Sequence, residues 1–270
     1  MSAMDLRDGL LAAYDDQLRI ETASATSVAE LGPLRLATYE GGRGFVTYRD
    51  LGDADERGVR QLVVGALAHY RADPHVVRVE WKTRGHDRAP GLHDALVAHG
   101  FEEGERESVM IGEAQALAVD VPLPQGVVLR QIWSEGDVRA MCRQQQEVFG
   151  DDLDPEEMTQ ALVRRLALRD DTELWVAEVE GEVVCAGRLE PVTGTEFAGI
   201  WGGATVERWR GRGIYRALTA ARARSALRGG KRWIQSDSTE DSRPILERYG
   251  FLAVTTTTPY EWSRASAGAS

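Results

Sequence analysis

The residues that read most plainly as chemistry are Arg208-Trp209-Arg210-Gly211-Arg212-Gly213. A diphosphate needs several donors converging on it with no side chain in the way. A glycine turn feeding a helix N-terminus supplies such backbone N–H groups together with partial positive charge. Gly211 and Gly213 stand where this turn belongs, between a strand-like run ending near Val206 and a helical pattern beginning at Ile214. That order distinguishes the segment from a chance pair of glycines among arginines. Arg210 and Arg212 add charge beside the phosphates or simply face water.

A second cluster, Arg84-Gly85-His86-Asp87-Arg88, sets a histidine beside a carboxylate. Such a pair can relay a proton. Adjacent residues do not ordinarily face each other, however, so the expectation is a solvated or turn-stabilising role. His69, His75, His93 and His99 show no ligand spacing, and no metal is assigned. Cys142 and Cys185 fit neither a disulfide framework nor a metal site, which suits a reducing cytoplasm.

The elements that must position these groups follow from periodicity. Leu6, Leu10, Leu11, Tyr14 and Leu18 recur at helical spacing up to about Arg19. Residues 34–39 and 44–48 alternate around the turn Glu40-Gly41-Gly42-Arg43 and predict a hairpin. A helix over 53–70, a strand over 76–81, a short helix over 92–98 and a strand from Phe101 follow. Gly112–Gly126, with its alanines and prolines and little periodicity, reads as a linker containing a single helical turn. Beyond it come a strand at 127–132, helices at 135–149 and 155–168, and a hairpin of 174–179 with 183–189. Asp154 and Pro155 open the second helix. A strand over 197–206, the glycine turn, a helix over 214–228, a strand over 231–235, a short helix capped by Asp241 or Ser242 and a final strand from Phe251 complete the order. Trp81 to Gly100-Phe101 is weakly echoed by Trp233 to Gly250-Phe251, which raises the expectation of two related halves.

A chain of 270 residues with 43% apolar content has room for two domains. Its net charge of -11 repels nucleic acid and anionic membrane surfaces and favours cationic substrates. No run approaches a membrane span, and residues 1–11 lack a secretory pattern, so a cytoplasmic location is expected.

Arg208, Gly211 and Gly213 meet the pattern Arg/Gln, two residues, Gly, one residue, Gly/Ala, and the chain thereby resembles the GNAT family of N-acetyltransferases. Arg248-Tyr249-Gly250-Phe251 resembles the family's closing helix and strand, so the likeness runs over about 127–262. It implies an α/β (α+β) fold of two GNAT-like domains, each a mixed, splayed sheet flanked by helices. The first, 1–112, would be a degenerate copy without a cofactor site, because four carboxylates of Asp50-Leu51-Gly52-Asp53-Ala54-Asp55-Glu56 stand where its cradle would be. Residues 113–126 would be the linker, and 127–270 the acetyl-CoA-binding domain.

The resemblance further implies that Ala204, Thr205 and Val206 pair with the pantetheine arm of acetyl-CoA. The backbone of Arg210, Gly211, Arg212, Gly213, Ile214 and Tyr215 would hold the pyrophosphate. Ser242, with Ser236, Asp237 and Ser238, is expected near the thiol end or the acceptor. The family's usual tyrosine acid, four residues before the last glycine, is here Leu246, which leaves Tyr249 as the candidate acid, with core packing as its competing role. The central strand Ala198-Gly199-Ile200-Trp201-Gly202-Gly203 has no carboxylate, so Glu190, with Glu196 behind it, is the candidate base acting through water. Trp201 would wall an acceptor pocket left open by the glycines.

The expected reaction is direct acetyl transfer to a primary amine, on a small molecule or a protein. The alternative is a non-catalytic acyl-CoA-binding regulatory or interaction module, supported by the missing tyrosine. The first half is left with supporting the fold, shaping an acceptor cleft or mediating a homodimer.

Overall fold

A computed structural model describes residues 3–150, 154–168 and 171–264. The elements run α1 (Ala3–Gln17), β1 (Ser27–Leu31), β2 (Leu34–Tyr39), β3 (Arg43–Tyr48), α2 (Glu56–Ala72), β4 (Arg78–Arg84), α3 (Leu92–Ala98), β5 (Glu102–Glu103), β6 (Glu107–Glu113) and α4 (Ala114–Leu117). They continue β7 (Val127–Ile132), α5 (Glu135–Phe149), α6 (Pro155–Leu168), β8 (Glu173–Val179), β9 (Glu182–Pro191), β10 (Phe197–Thr205), a 3-10 turn (Glu207–Trp209), α7 (Ile214–Arg228), β11 (Trp233–Ser238), α8 (Arg243–Tyr249) and β12 (Leu252–Ser263). The chain divides into two compact units that interleave in sequence. One takes the described residues of 1–110, 237–244 and 253–270, and the other takes 111–236 and 245–252.

In the first unit β1, β2 and β3 are antiparallel, β4 is parallel to β3, and β12 runs antiparallel to β4. The last strand thus pairs inside the unit that holds the N-terminal residues, although it follows the C-terminal half in sequence. The reason is apolar: Tyr260 and Trp262 of β12 are buried in one cluster with Trp81, Tyr48, Tyr70 and Phe101. Each fully buried large apolar side chain is worth roughly 1.5–3 kcal/mol, far more than sequence proximity could offset. The strand β1 has no counterpart in the sequence-based element order, and the strand expected from Phe101 is divided into β5 and β6. Within β1 only two of five positions are even partly buried, so alternation had little to mark.

In the second unit β7, β8, β9 and β10 are antiparallel and β11 is parallel to β10. Ser134 caps α5 by accepting from the Asp137 N–H, and Asp154 Oδ1 accepts from the Glu156 N–H at 2.8 Å at the start of α6. The expected single helical turn of 113–126 is α4, where the Ala114 N–H donates to the Arg232 carbonyl at 2.8 Å. Each unit therefore contains the same motif: an antiparallel strand, a helix and a parallel partner strand. In both, the parallel pairing stops early, at Val46 with Trp81 and at Gly199 with Gln235, so the paired strands end apart.

Burial raises the Tyr48 and Tyr70 hydroxyl pKa values well above the ordinary phenol range, and burial with the Glu103 hydrogen bond holds Tyr260 up to about 12. The unfolded chain loses these protons first, near pH 10, and so binds fewer protons than the folded chain at higher pH. Stability is therefore fully present below about pH 10 and falls as pH rises further. The urea midpoint is expected to drop between pH 8 and pH 10.5, less steeply in Tyr70→Phe. A flat midpoint over that interval would contradict the assignment.

Candidate active site

The site is built where β10 leaves β11. After Gly199 no β11 residue pairs with β10, while β9 stays paired through Ala204 with Ala186 and Thr205 with Cys185. The Val206 N–H goes to the Val184 carbonyl at 3.0 Å. By the alternation of an antiparallel ladder, the Thr205 amide then faces the vacated edge. Of the three residues expected to meet the pantetheine arm, Val206 has its amide already committed to β9, and Thr205 presents its own.

The chain next makes the 3-10 turn and enters α7 through Gly211 and Gly213, at φ +73° and +79°. A Cβ on Gly211 would meet nothing within 4 Å, so the requirement is for backbone conformation rather than space. Gly213 is the N-cap of α7 and offers no capping side chain. The first helical bond runs from Ala217 N–H to the Gly213 carbonyl, leaving the amides of Ile214, Tyr215 and Arg216 ahead of it. The corresponding helix of the first unit is closed: Asp55 Oδ1 accepts from the Gly58 N–H at 2.8 Å, and Asp50 Oδ1 from the Gly52 N–H at 2.9 Å. Its own carboxylates take the Gly58 and Gly52 donors and set negative charge at this helix start.

The arginines of the turn are largely engaged. Arg208 pairs with Glu182 and lies 3.6 Å from Glu147, Arg210 Nε donates to the Thr205 carbonyl at 3.0 Å, and Arg212 stacks on Trp209 at 4.6 Å. The cradle is thus chiefly a backbone structure.

Around the opening, β10 bulges between Trp201 and Ala204. Two neighbouring glutamines of α5 reach this bulge: Gln145 Nε2 donates to the Gly202 carbonyl at 2.6 Å and Gln144 Nε2 to the Ala204 carbonyl at 3.4 Å. Both Oε1 atoms are buried without a partner. Gly203 is required by close approach, since a Cβ there would lie 2.7 Å from the Tyr215 hydroxyl. Tyr215 in turn packs against Tyr249, ring centroids 6.0 Å apart. Burial raises the Tyr249 pKa, so its phenol keeps its proton and suits a donor. Leu246 is buried and carries no proton to give.

Glu190, the candidate base, lies opposite Gly199 across the ladder and is held by two arginines. Its Oε1 accepts from Arg165 Nη1 at 2.8 Å and Arg188 Nε at 3.1 Å. Ser242 groups with the first unit, where its hydroxyl meets those of Ser238 and Thr239 at 2.9 Å. Cys142 and Cys185 are buried free thiols, and burial pushes Cys185 up to about 11, which keeps it from acting as a thiolate. Periodicity could not find Gln144, Gln145, Arg188 or the side-chain role of Tyr215. The available signal was two consecutive glutamines on the buried stripe of an amphipathic helix.

The fold defines an α/β protein built around a splayed parallel strand pair with an uncapped helix N-terminus beside it. Residues 137–265 match the acetyltransferase (GNAT) domain family. No curated protein matches it. Among solved structures, a GCN5-related N-acetyltransferase from Kribbella flavida is similar at TM-score 0.65 and 16% identity, over 96% of this chain and 95% of that one. A conserved protein of unknown function from Staphylococcus epidermidis gives TM-score 0.66 at 12% identity, over 93% and 97%. A tandem GNAT protein from the clavulanic acid biosynthesis pathway gives 0.61 at 16%, over 95% of each chain. At these identities the likeness is one of fold.

Proposed function

We propose that the chain is an acetyl-CoA-dependent N-acetyltransferase with one cofactor site, in the second unit, and that the first unit is a degenerate copy. The observation that carries this reading is the uncapped α7 N-terminus, entered from a strand whose edge is open, beside a first unit whose equivalent helix is capped by Asp55. Arg210 to Tyr215 would hold the diphosphate through backbone amides, and Thr205 would pair with the pantetheine arm. Acetyl-CoA supplies the thioester. The acceptor nitrogen attacks the acetyl carbon, the carbon–sulfur bond breaks, and the departing thiolate takes a proton from Tyr249 or solvent. The proton that the nitrogen loses on becoming an amide restores that donor. Glu190 Oε2, the oxygen without an arginine, would receive the ammonium proton through water.

A second reading is favoured by Leu246, buried where the family pattern has its acid: the site binds acyl-CoA without turning it over. Calorimetry with acetyl-CoA, followed by thiol release across a panel of primary amines, separates the two. Binding with turnover of at least one amine is expected. Binding with none across a broad panel would establish the module, and absence of binding would defeat both.

A further inference from the structure

Resting on the acetyltransferase reading, we infer that the acceptor is an amine bearing a carboxylate and that Arg188 reads that carboxylate. Arg188 lies on β9 directly across from Trp201, on the face covered by α5 and α6. A Cβ on Gly202 would stand 3.7 Å from Arg188 Nη1 and 2.6 Å from Gln145 Nε2, so the guanidinium lies against the bulge where β10 opens.

Two guanidiniums, Arg165 and Arg188, share one oxygen of a single carboxylate, Glu190. They do so inside a chain whose formal net charge is -11. Arg165 spends a second nitrogen on the Thr172 hydroxyl at 2.7 Å. Arg188 spends only Nε, and neither of its terminal nitrogens bonds another described residue. Its side chain is 23% exposed, so the paired nitrogens are reachable yet poorly hydrated. A guanidinium presented this way matches a carboxylate in a fork geometry, which a neutral amide or a bare amine cannot reproduce.

The global acidity favours cationic substrates at long range, but charges beyond about 8–10 Å are screened at physiological salt. At contact distance the unbonded terminal nitrogens of Arg188 decide. An amino acid or other carboxylate-bearing primary amine satisfies both: its ammonium suits the acidic surroundings, and its carboxylate suits the fork. The expected pocket left open by the glycines is not formed: the Trp201 indole fills the space beside Gly199 and Gln145 the space beside Gly202, so an acceptor meets the half-buried Trp201 and the Arg188 guanidinium at the rim of the bulge.

The test uses the full chain with acetyl-CoA and matched probe pairs: a set of L-amino acids and the carboxamides of the same amino acids, followed by thiol release. The expected kcat/KM favours the acids by about 10- to 100-fold, the range for a hydrogen-bonded charged group. Arg188→Gln is expected to raise KM for the acids by a similar factor with a smaller change in kcat, while acetyl-CoA affinity by calorimetry stays within about twofold; Arg188→Lys recovers part of the loss. Equal turnover of acids and amides, preference for the amides, or an unchanged KM in Arg188→Gln overturns the carboxylate subsite while leaving the acetyltransferase standing. Failure of the wild-type chain to bind acetyl-CoA removes the acetyltransferase reading, and the subsite with it.

Discussion

Replacing Gly213 by Val is expected to weaken acetyl-CoA binding by at least about 100-fold in calorimetry. At φ +79° a β-branched residue is a steric outlier, and relaxing it swings the peptide planes on either side of residue 213. Those planes aim the first amides of α7. Losing one hydrogen bond to a charged group costs roughly 1.5–3 kcal/mol, about 10- to 100-fold in affinity, and the turn aligns several such donors together. Crowding is not the cause, because a Cβ at 213 meets only Val121 Cγ1 at 3.8 Å. Gly230 is the control: it has φ +75°, a Cβ there meets nothing within 4 Å, and it lies past the other end of α7. Gly230→Val therefore carries the same backbone strain and should lower stability without changing acetyl-CoA affinity. Full affinity in a folded Gly213→Val chain would refute the cradle.

Asp87→Ala is expected to remove about 3–5 kcal/mol of stability, the cost of stripping one partner from a buried ion pair. The Asp87 side chain is 5% exposed and pairs with the equally buried Arg19. It also accepts from the Tyr48 hydroxyl at 2.6 Å and the Arg84 N–H at 2.9 Å. Arg84 is buried beside it, donating to the Lys82 carbonyl, the Thr47 hydroxyl and the Arg19 carbonyl. This knot fills the ends of β3 and β4 where they separate, the place in the first unit that corresponds to the opening in the second. Removing the carboxylate leaves a phenol and an amide without their acceptor and the Arg19 guanidinium with only the part-exposed Asp15 as counter-charge. Urea unfolding followed by circular dichroism measures the loss. The triple variant Arg19→Met, Tyr48→Phe, Asp87→Leu should recover more than half of it, since apolar replacement of a whole buried polar set is often near neutral. A single variant within about 0.5 kcal/mol of wild type, as surface changes usually are, would show the knot to be incidental.

The same residues show how far local pattern reached. His86-Asp87 read as solvated or turn-stabilising, and the turn is real: the Asp87 N–H donates to the Arg84 carbonyl. The Asp87 side chain is buried with Arg19, whereas His86 is exposed, meeting Asp15 at 3.1 Å and Thr255 at 2.7 Å. Those partners lie 71 and 169 positions away, a separation that no periodicity reports.

By itself the sequence determined the helices and strands with strong periodicity, above all α5, α6 and α7, whose bounds agree at both ends with 135–149, 155–168 and 214–228. It also determined the turn that carries the cradle, because positive φ, a missing Cβ and a helix start are local requirements that glycine spacing writes directly into the chain. Only the tertiary structure decided that β12 joins the first unit, that the first unit's strand opening is filled by Arg19 and Arg84, and that Glu190 is shared between two arginines beside a bulge held by Gln144 and Gln145. Each of these depends on which distant surfaces bury one another. Burial energy and charge pairing act across space, so residues with no common local pattern come to form one site.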